Sequence, residues 1–218
     1  EELAGIRAAE SEVAKAILGL TRYVTLDNHD GELMPSLQLR QEIVRLIRNY
    51  GADLVLSHRP FDYHPDHRYG GIAVQDAAYL VMVPNICPET PVLRRNPVFL
   101  YMQDAFRKPY PFEPHVAIDI GPVWETKVSA MAAHRSQFGE WLPWVDGYAS
   151  ELPADPEEAA KLAAQRYVFP ITGPVRDLLK HFYGESGESA VHAEAFEICE
   201  YGRQPGAAEI RKLFPMLP

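Results

Sequence analysis

The 218-residue chain carries 21 Lys and Arg against 30 Asp and Glu, a formal net charge of −9. That balance argues against a nucleic-acid partner, which needs clustered cations to meet phosphates. Hydrophobic residues make up 47% of the chain, enough for a sizeable core, yet no apolar run approaches the length of a membrane span. Two cysteines, Cys87 and Cys199, form no CxxC pair and no disulfide framework, and read as buried thiols of a reducing, cytoplasmic compartment.

The chain opens in helical register. Leu3, Ile6, Val13, Ile17 and Leu20 fall on one face, which predicts a helix over 1–18 with no strand before it. "RYVTLD" (22–27) predicts a strand, and the turn-rich "NHDGE" follows. "SLQLRQEIVRLIRNYG" predicts a helix with Ser36 as N-cap and Gly51 as its stop. "DLVLS" (53–57) reads as a short strand buried on both faces. A helix is expected from Pro65 onward. Strands are expected at 96–102 and 115–120, then one helix over 122–138, an irregular stretch over 139–153, and a helix begun by Asp155 and Pro156. "AEAFEICEYG" predicts a strand at a sheet edge. Alternating helices and apolar strands argue for an α/β sheet that is at least partly parallel.

The stretch with chemical content is "SHRPFDYHPDHRYGG", 57–71. It lies just past the end of a predicted strand, where open parallel sheets collect their ligands. His64 falls at the N-cap and Pro65 at the first helical position, so Asp66 and His67 occupy the first turn. His64 and His67 are three apart and can face one cleft. Such a stretch can supply a metal ligand, an acid/base imidazole and an orienting carboxylate. It is also ordinary helix-start chemistry, and one histidine pair is too few for a catalytic zinc, which takes three protein ligands.

"P-F-D-Y-H-P-D-H-R" resembles the second signature of the PIG-L/LmbE-like N-acetylglucosaminyl deacetylase family. Four other stretches resemble that family in the same order: "IRAAESEVAKAILGL", "LDNHDGEL", "ETKVSAMAAHRSQF" and "AEAFEICEYG". The resemblance implies a Rossmann-like α/β fold, a largely parallel sheet with helices on both faces. It implies a Zn²⁺-dependent hydrolase that removes an acetyl group from an N-acetylated sugar. His67 matches a zinc ligand, His64 the histidine that assists the tetrahedral intermediate, and Asp66 its carboxylate partner. The family's A-H-P-D-D segment, which brings the general base and two more ligands, does not occur in this sequence. The expectation is therefore a single domain, 1–218, that lacks the first βα unit, holds one of three zinc ligands and is inactive alone.

Other residues have two readings. Asp30 either reaches sugar hydroxyls or is a plain turn aspartate. His58 and Arg59 either line the rim near the substrate or reflect loop polarity. His134 reads as a helix histidine bracing the cleft. Phe106, Tyr110, Trp141 and Trp144 either stack on a sugar or pack. His115, His181 and His192 carry no signal. Two other functions stand beside the deacetylase: an amide hydrolase acting on a non-sugar N-acyl metabolite, and a non-catalytic metabolite-binding paralogue. A small-molecule partner follows from any of these, with no nucleic acid and no membrane, and a homo-oligomer is left open.

Overall fold

The structure, a computed structural model, describes residues 2–218. They form two compact units. One takes the N-terminal residues through Asp27 together with Ile120–Pro170; the other takes Asn28–Asp119 and Ile171–Pro218.

Elements are numbered along the chain. The second unit contains α2 (Leu37–Tyr50), β1 (Leu54–Ser57), α3 (Pro65–Leu80), β2 (Val98–Met102), β3 (Val116–Asp119), α7 (Gly173–Tyr183), α8 (Glu185–Ser189), β4 (Ala193–Gly202) and α9 (Ala207–Leu213). The strands make one sheet in the order β1-β2-β4-β3. β1 and β2 are parallel, and β4 runs antiparallel to both β2 and β3. Three of the four strands therefore point the same way, and the sheet is Rossmann-like, with flanking helices. The reversed strand sits inside the sheet. This corrects the edge expected for "AEAFEICEYG": β4 pairs on both sides, Tyr101 with Glu197 and Ala117 with Ala195.

α2 and α3 cover one face of β1 and β2, where Val44, Ile47, Ala77, Ala78 and Val81 pack on Phe99, Tyr101 and Cys199. The alternate residues Val98 and Leu100 are buried on the opposite face. α7 packs Val175 and Leu179 on Ala117, Ala193 and Ala195. β1 is an edge strand, and Leu56 is 43% exposed, so the expected burial on both faces does not hold there. Both cysteines are buried free thiols, as expected.

The ends of α2 follow its sequence. Ser36 Oγ accepts the Leu39 N–H, and Gly51 adopts φ +67°. The N–H groups of Ala52 and Gly51 return to the Ile47 and Arg48 carbonyls, a Schellman closure. Arg48, 5% exposed, spends its guanidinium on backbone carbonyls of Leu80, Val81, Val83, Ile86 and Cys87. It thereby fastens α2 to the C-terminal end of α3 and the turns that follow.

The first unit contains α1 (Glu2–Leu18), α4 (Trp124–Ala132), α5 (Leu142–Val145) and α6 (Pro156–Ala164). α1 buries Ala14, whereas Leu3, Ile6 and Val13 of the predicted apolar face are exposed. Residues 22–27 form no strand: Tyr23 and Val24 are exposed and have no ladder partner. The single helix expected over 122–138 is instead a 3₁₀ turn (Gly121–Val123), α4, and a π-helical segment (Ser136–Trp141). Glu10 accounts for the change, because its carboxylate accepts both the N–H and the Oγ–H of Ser136, at 2.7 Å each. The stretch 139–153 is more regular than expected, with α5 and a 3₁₀ turn at Ala149–Glu151. Asp155 caps α6 through the Glu157 and Glu158 N–H groups. Among the described residues no helix is long and apolar enough to cross a membrane.

Candidate metal and hydrolytic site

The site lies where β1 ends and α3 begins. His64 is the N-cap of α3, with φ −85° and ψ 131°, and Pro65 follows at the first helical position. The His64 Nδ1 accepts the Asp66 N–H at 3.2 Å. One oxygen of Asp62, Oδ1, accepts the His64 N–H at 2.9 Å and lies 3.1 Å from His67 Nδ1. Arg68 ties the loop back by donating to the Asp62 and Tyr63 carbonyls. At Gly71 an added Cβ would stand 2.5 Å from the His58 carbonyl oxygen. Glycine there lets α3 approach the strand end closely.

These bonds give the two imidazoles opposite characters. His64 uses the Nδ1 lone pair as an acceptor, so its neutral form carries the proton on Nε2 and presents a donor. His67 gives its Nδ1–H to Asp62, so its Nε2 presents a lone pair. The ring centroids are 4.8 Å apart. His64 and His67 are therefore brought together as expected, and both are partly exposed.

The Asp66 carboxylate turns to the loop that precedes α2, accepting the N–H groups of Gly31 (2.7 Å) and Leu33 (3.1 Å). This anchors Asp30, whose Oδ1 lies 3.8 Å from His64 Nε2. The contact from Asp66 to His64 runs through the Asp66 backbone, while its side chain holds the Asp30 loop. Asp62 was not among the expected site residues. Its signal was the spacing D-x-H-x-x-H, which puts one carboxylate behind both the cap and the first-turn histidine.

Arg59 does not line the rim. Its side chain is fully buried, paired through Nε and Nη2 with Asp104 at 2.7 and 2.9 Å. It also donates to the Phe106 and Tyr110 carbonyls. Desolvation opposes its charge, but Asp104 and Glu197 outweigh that and push the guanidinium pKa up. It braces the loops after β2. Tyr110 packs edge-on against Phe61, with centroids 5.4 Å apart. Trp141 and Trp144, in the other unit, pack against each other at a tilt of 34° and are exposed. His134 lies at the junction of α4 and the π-helical segment.

Two groups of donors fit a divalent ion by proximity: His58, Asp62 and His67, and Asp30, His64 and Asp66, each with its ligand atoms within 4.8 Å of one another. The first does not close on one ion as it stands. His58 stacks on His67 at 4.4 Å with an interplanar angle of 4°, so their in-plane lone pairs run parallel and do not converge. Burial, and then the neighbouring His67, lower the His58 pKa and favour its neutral form. His67 fits as a metal ligand through Nε2, because a carboxylate on the remote nitrogen is how protein sites hold such an imidazole.

An α/β protein with a Rossmann-like sheet and a histidine–aspartate site at a strand end is thus defined. The family model for PIG-L, GlcNAc-PI de-N-acetylase, matches residues 1–78, the segment that ends in α3. A diacetylchitobiose deacetylase from Thermococcus kodakarensis is 32% identical over 148 residues, which cover 66% of this chain and 54% of that protein. The chain spans about half the length of this curated relative. The N,N'-diacetylchitobiose deacetylase structure from Pyrococcus horikoshii, complexed with an inhibitor, matches at TM-score 0.61 and 24% identity, covering 91% of this chain and 64% of that one. GalB, a 4-carboxy-2-hydroxymuconate hydratase from Pseudomonas putida KT2440, matches at TM-score 0.60 and 16% identity, covering 93% and 74%. The family-model match and the 32% identity support a place in the PIG-L/LmbE-like deacetylase family.

Proposed function

We propose that His64 and His67 serve a metal-dependent N-deacetylase that acts on an N-acetylated sugar, and that Zn²⁺ is the metal. The carrying observation is the opposite character of the two Nε2 atoms, a donor on His64 and a lone pair on His67, in one partly open site. Hydrolysis of an amide asks for that combination: one group to hold a Lewis acid, another to meet negative charge on the carbonyl oxygen.

His67 would hold the ion through Nε2, with Asp62 fixing its ring. A bound divalent cation supplies Lewis-acid polarisation of the acetyl carbonyl. His64 would donate a hydrogen bond from Nε2 to the developing oxyanion. Asp30 faces that same nitrogen and can orient it or accept from a sugar hydroxyl. Asp66 holds the Asp30 loop in place. The curated relative supports the choice of an acetylated sugar over a non-sugar N-acyl metabolite. The hydratase on the same fold shows that the fold alone does not choose the chemistry.

The test is acetate release from N-acetylglucosamine, diacetylchitobiose and N-acetylethanolamine by the native-length gene product that carries these residues, with its metal content measured in parallel. Metal-dependent release from the sugars alone is expected. Release only from the non-sugar amide, or turnover indifferent to metal removal, overturns the proposal.

A further inference from the structure

We propose that a second cavity, floored by Glu197 and walled by tyrosines, binds a small organic cation: a protonated amine carried on a ring of monosaccharide size. The cavity has a volume of about 610 Å³ and shares no lining residue with the His64 and His67 clusters. That volume falls in the ordinary range for small-molecule sites.

The charge of the lining selects the ligand. Glu113, Glu197 and Glu200 line the cavity, and no lysine or arginine does. Arg59 does not line the cavity and is shared by two carboxylates. It forms a two-point pair with Asp104 and only a 3.7 Å contact with Glu197. Glu197 is 6% exposed, and among the described residues its carboxylate takes one close hydrogen bond, from the Glu113 N–H at 2.9 Å. One guanidinium thus serves two carboxylates, Glu197 buried and Asp104 partly buried, which leaves negative charge in excess beside the cavity. Burial pushes the Glu197 pKa up, the mark of a carboxylate whose charge is incompletely compensated.

The shape of the lining agrees. Tyr101 and Tyr201 line the cavity together with Tyr110 and Phe61, whose rings already carry the Arg59 guanidinium at 5.1 and 5.9 Å, and a cation held against aromatic rings beside carboxylates is the arrangement that binds organic ammonium groups. Gln75, which donates to the Tyr101 hydroxyl at 3.0 Å, and Gln204 add groups for hydroxyls. The site is built, since Tyr101 is 4% exposed and fixed by Gln75 and the Cys199 thiol.

Two backbone amides in the cavity wall are natural reporters. The Glu113 N–H bonds to Glu197, and the Ile198 N–H bonds to His115 Nδ1. The experiment is an amide chemical-shift titration of the folded chain with glucosamine and, separately, with N-acetylglucosamine, which lacks the charge. Glucosamine should shift the Glu113 and Ile198 amides saturably, at least tenfold more tightly than N-acetylglucosamine. Glu197→Gln should weaken that binding at least tenfold, and Glu200→Gln, at the exposed rim, should weaken it without touching the buried pair. His64→Ala should leave it unchanged, which separates this cavity from the proposed hydrolytic site. Equal binding of the two sugars, the absence of a saturable shift at these amides, or indifference to both glutamate changes overturns the proposal.

Discussion

Asp62 Oδ1 lies 3.1 Å from His67 Nδ1, and the same oxygen accepts the His64 N–H. A neutral His67 held in this way keeps its proton on Nδ1 and its lone pair on Nε2. Asp62→Ala should lower the affinity for Zn²⁺ by about 10–100-fold, the usual consequence of losing a group that orients a ligand. Asp62→Asn, which retains an acceptor oxygen, should lose less. Competition with a chromophoric chelator measures both. Unchanged affinity in the alanine variant would mean that Asp62 only shapes the loop.

The two histidines should separate in a paired assay of metal content and rate. His67→Ala should lose both together. His64→Ala should keep the metal and lose rate on the order of 10²–10³, as for removal of one oxyanion donor. That variant also removes a helix cap, at a cost of about 1 kcal/mol. His64→Asn restores a cap and should melt near the parent while remaining slow. Recovery of rate in His64→Asn would reduce His64 to a capping residue.

Adjacent glycines make a sharp comparison. A Cβ at Gly71 would meet backbone, 2.5 Å from His58 O and 3.2 Å from the Arg59 carbonyl carbon. At Gly70 it would meet only Leu33 Cδ2, at 3.8 Å. Gly71→Ala should therefore destabilise by about 1–3 kcal/mol and weaken metal binding, since α3 must move off the strand end. Gly70→Ala should be neutral or stabilising by up to about 1 kcal/mol through helix propensity. Denaturant melts of both variants decide it, and equal effects would refute the close-approach account.

Arg48→Met keeps the apolar stem but strands the carbonyls at the end of α3. A loss of about 3 kcal/mol or more is expected, because several buried acceptors lose their donor at once. Hydrogen exchange should show α2 and α3 loosening together. A loss below about 1 kcal/mol would mean that water replaces the guanidinium there.

Glu197 has its pKa raised by burial, so its effect on stability has a definite sign. Below the unfolded carboxylate pKa both states hold the proton and the group is neutral in the balance. As pH rises toward the folded pKa the unfolded chain ionises first, so stability falls, and the loss is complete above the folded pKa. Glu197→Gln should thus gain on the parent from acid to neutral pH, as read by melts across that range. A gap that stays constant with pH would contradict the raised pKa.

The parts of the fold that could be read from sequence are those decided locally. Ser36 and Gly51 bound α2 because their cap geometries depend on neighbouring residues alone. His64 and Pro65 start α3 for the same reason. Residues 22–27 have strand-like composition, but strand propensity reports a fit to neighbours that they do not have. β4 alternates like an edge strand, and only pairing with residues 74–104 positions away places it between β2 and β3. The π-helical turn at Ser136 follows from Glu10, 126 residues earlier. At the site, the histidine spacing was legible, whereas Asp62 took its place only once the loop was closed, and Arg59 proved to be a strut once Asp104 arrived from the far side of β2.

Within "DYHPDH" the same atoms perform two tasks. Asp62 Oδ1 closes the loop and aims a ring, His64 Nδ1 caps a helix and sets a proton on the opposite nitrogen, and the Asp66 N–H serves that cap while its carboxylate anchors the Asp30 loop. Variation here is therefore not modular: mutational drift cannot tune the chemistry of this hexapeptide without loosening its fold. New substrate preferences on this scaffold should accumulate in the surrounding loops, and a mutational library confined to the hexapeptide should return few folded members.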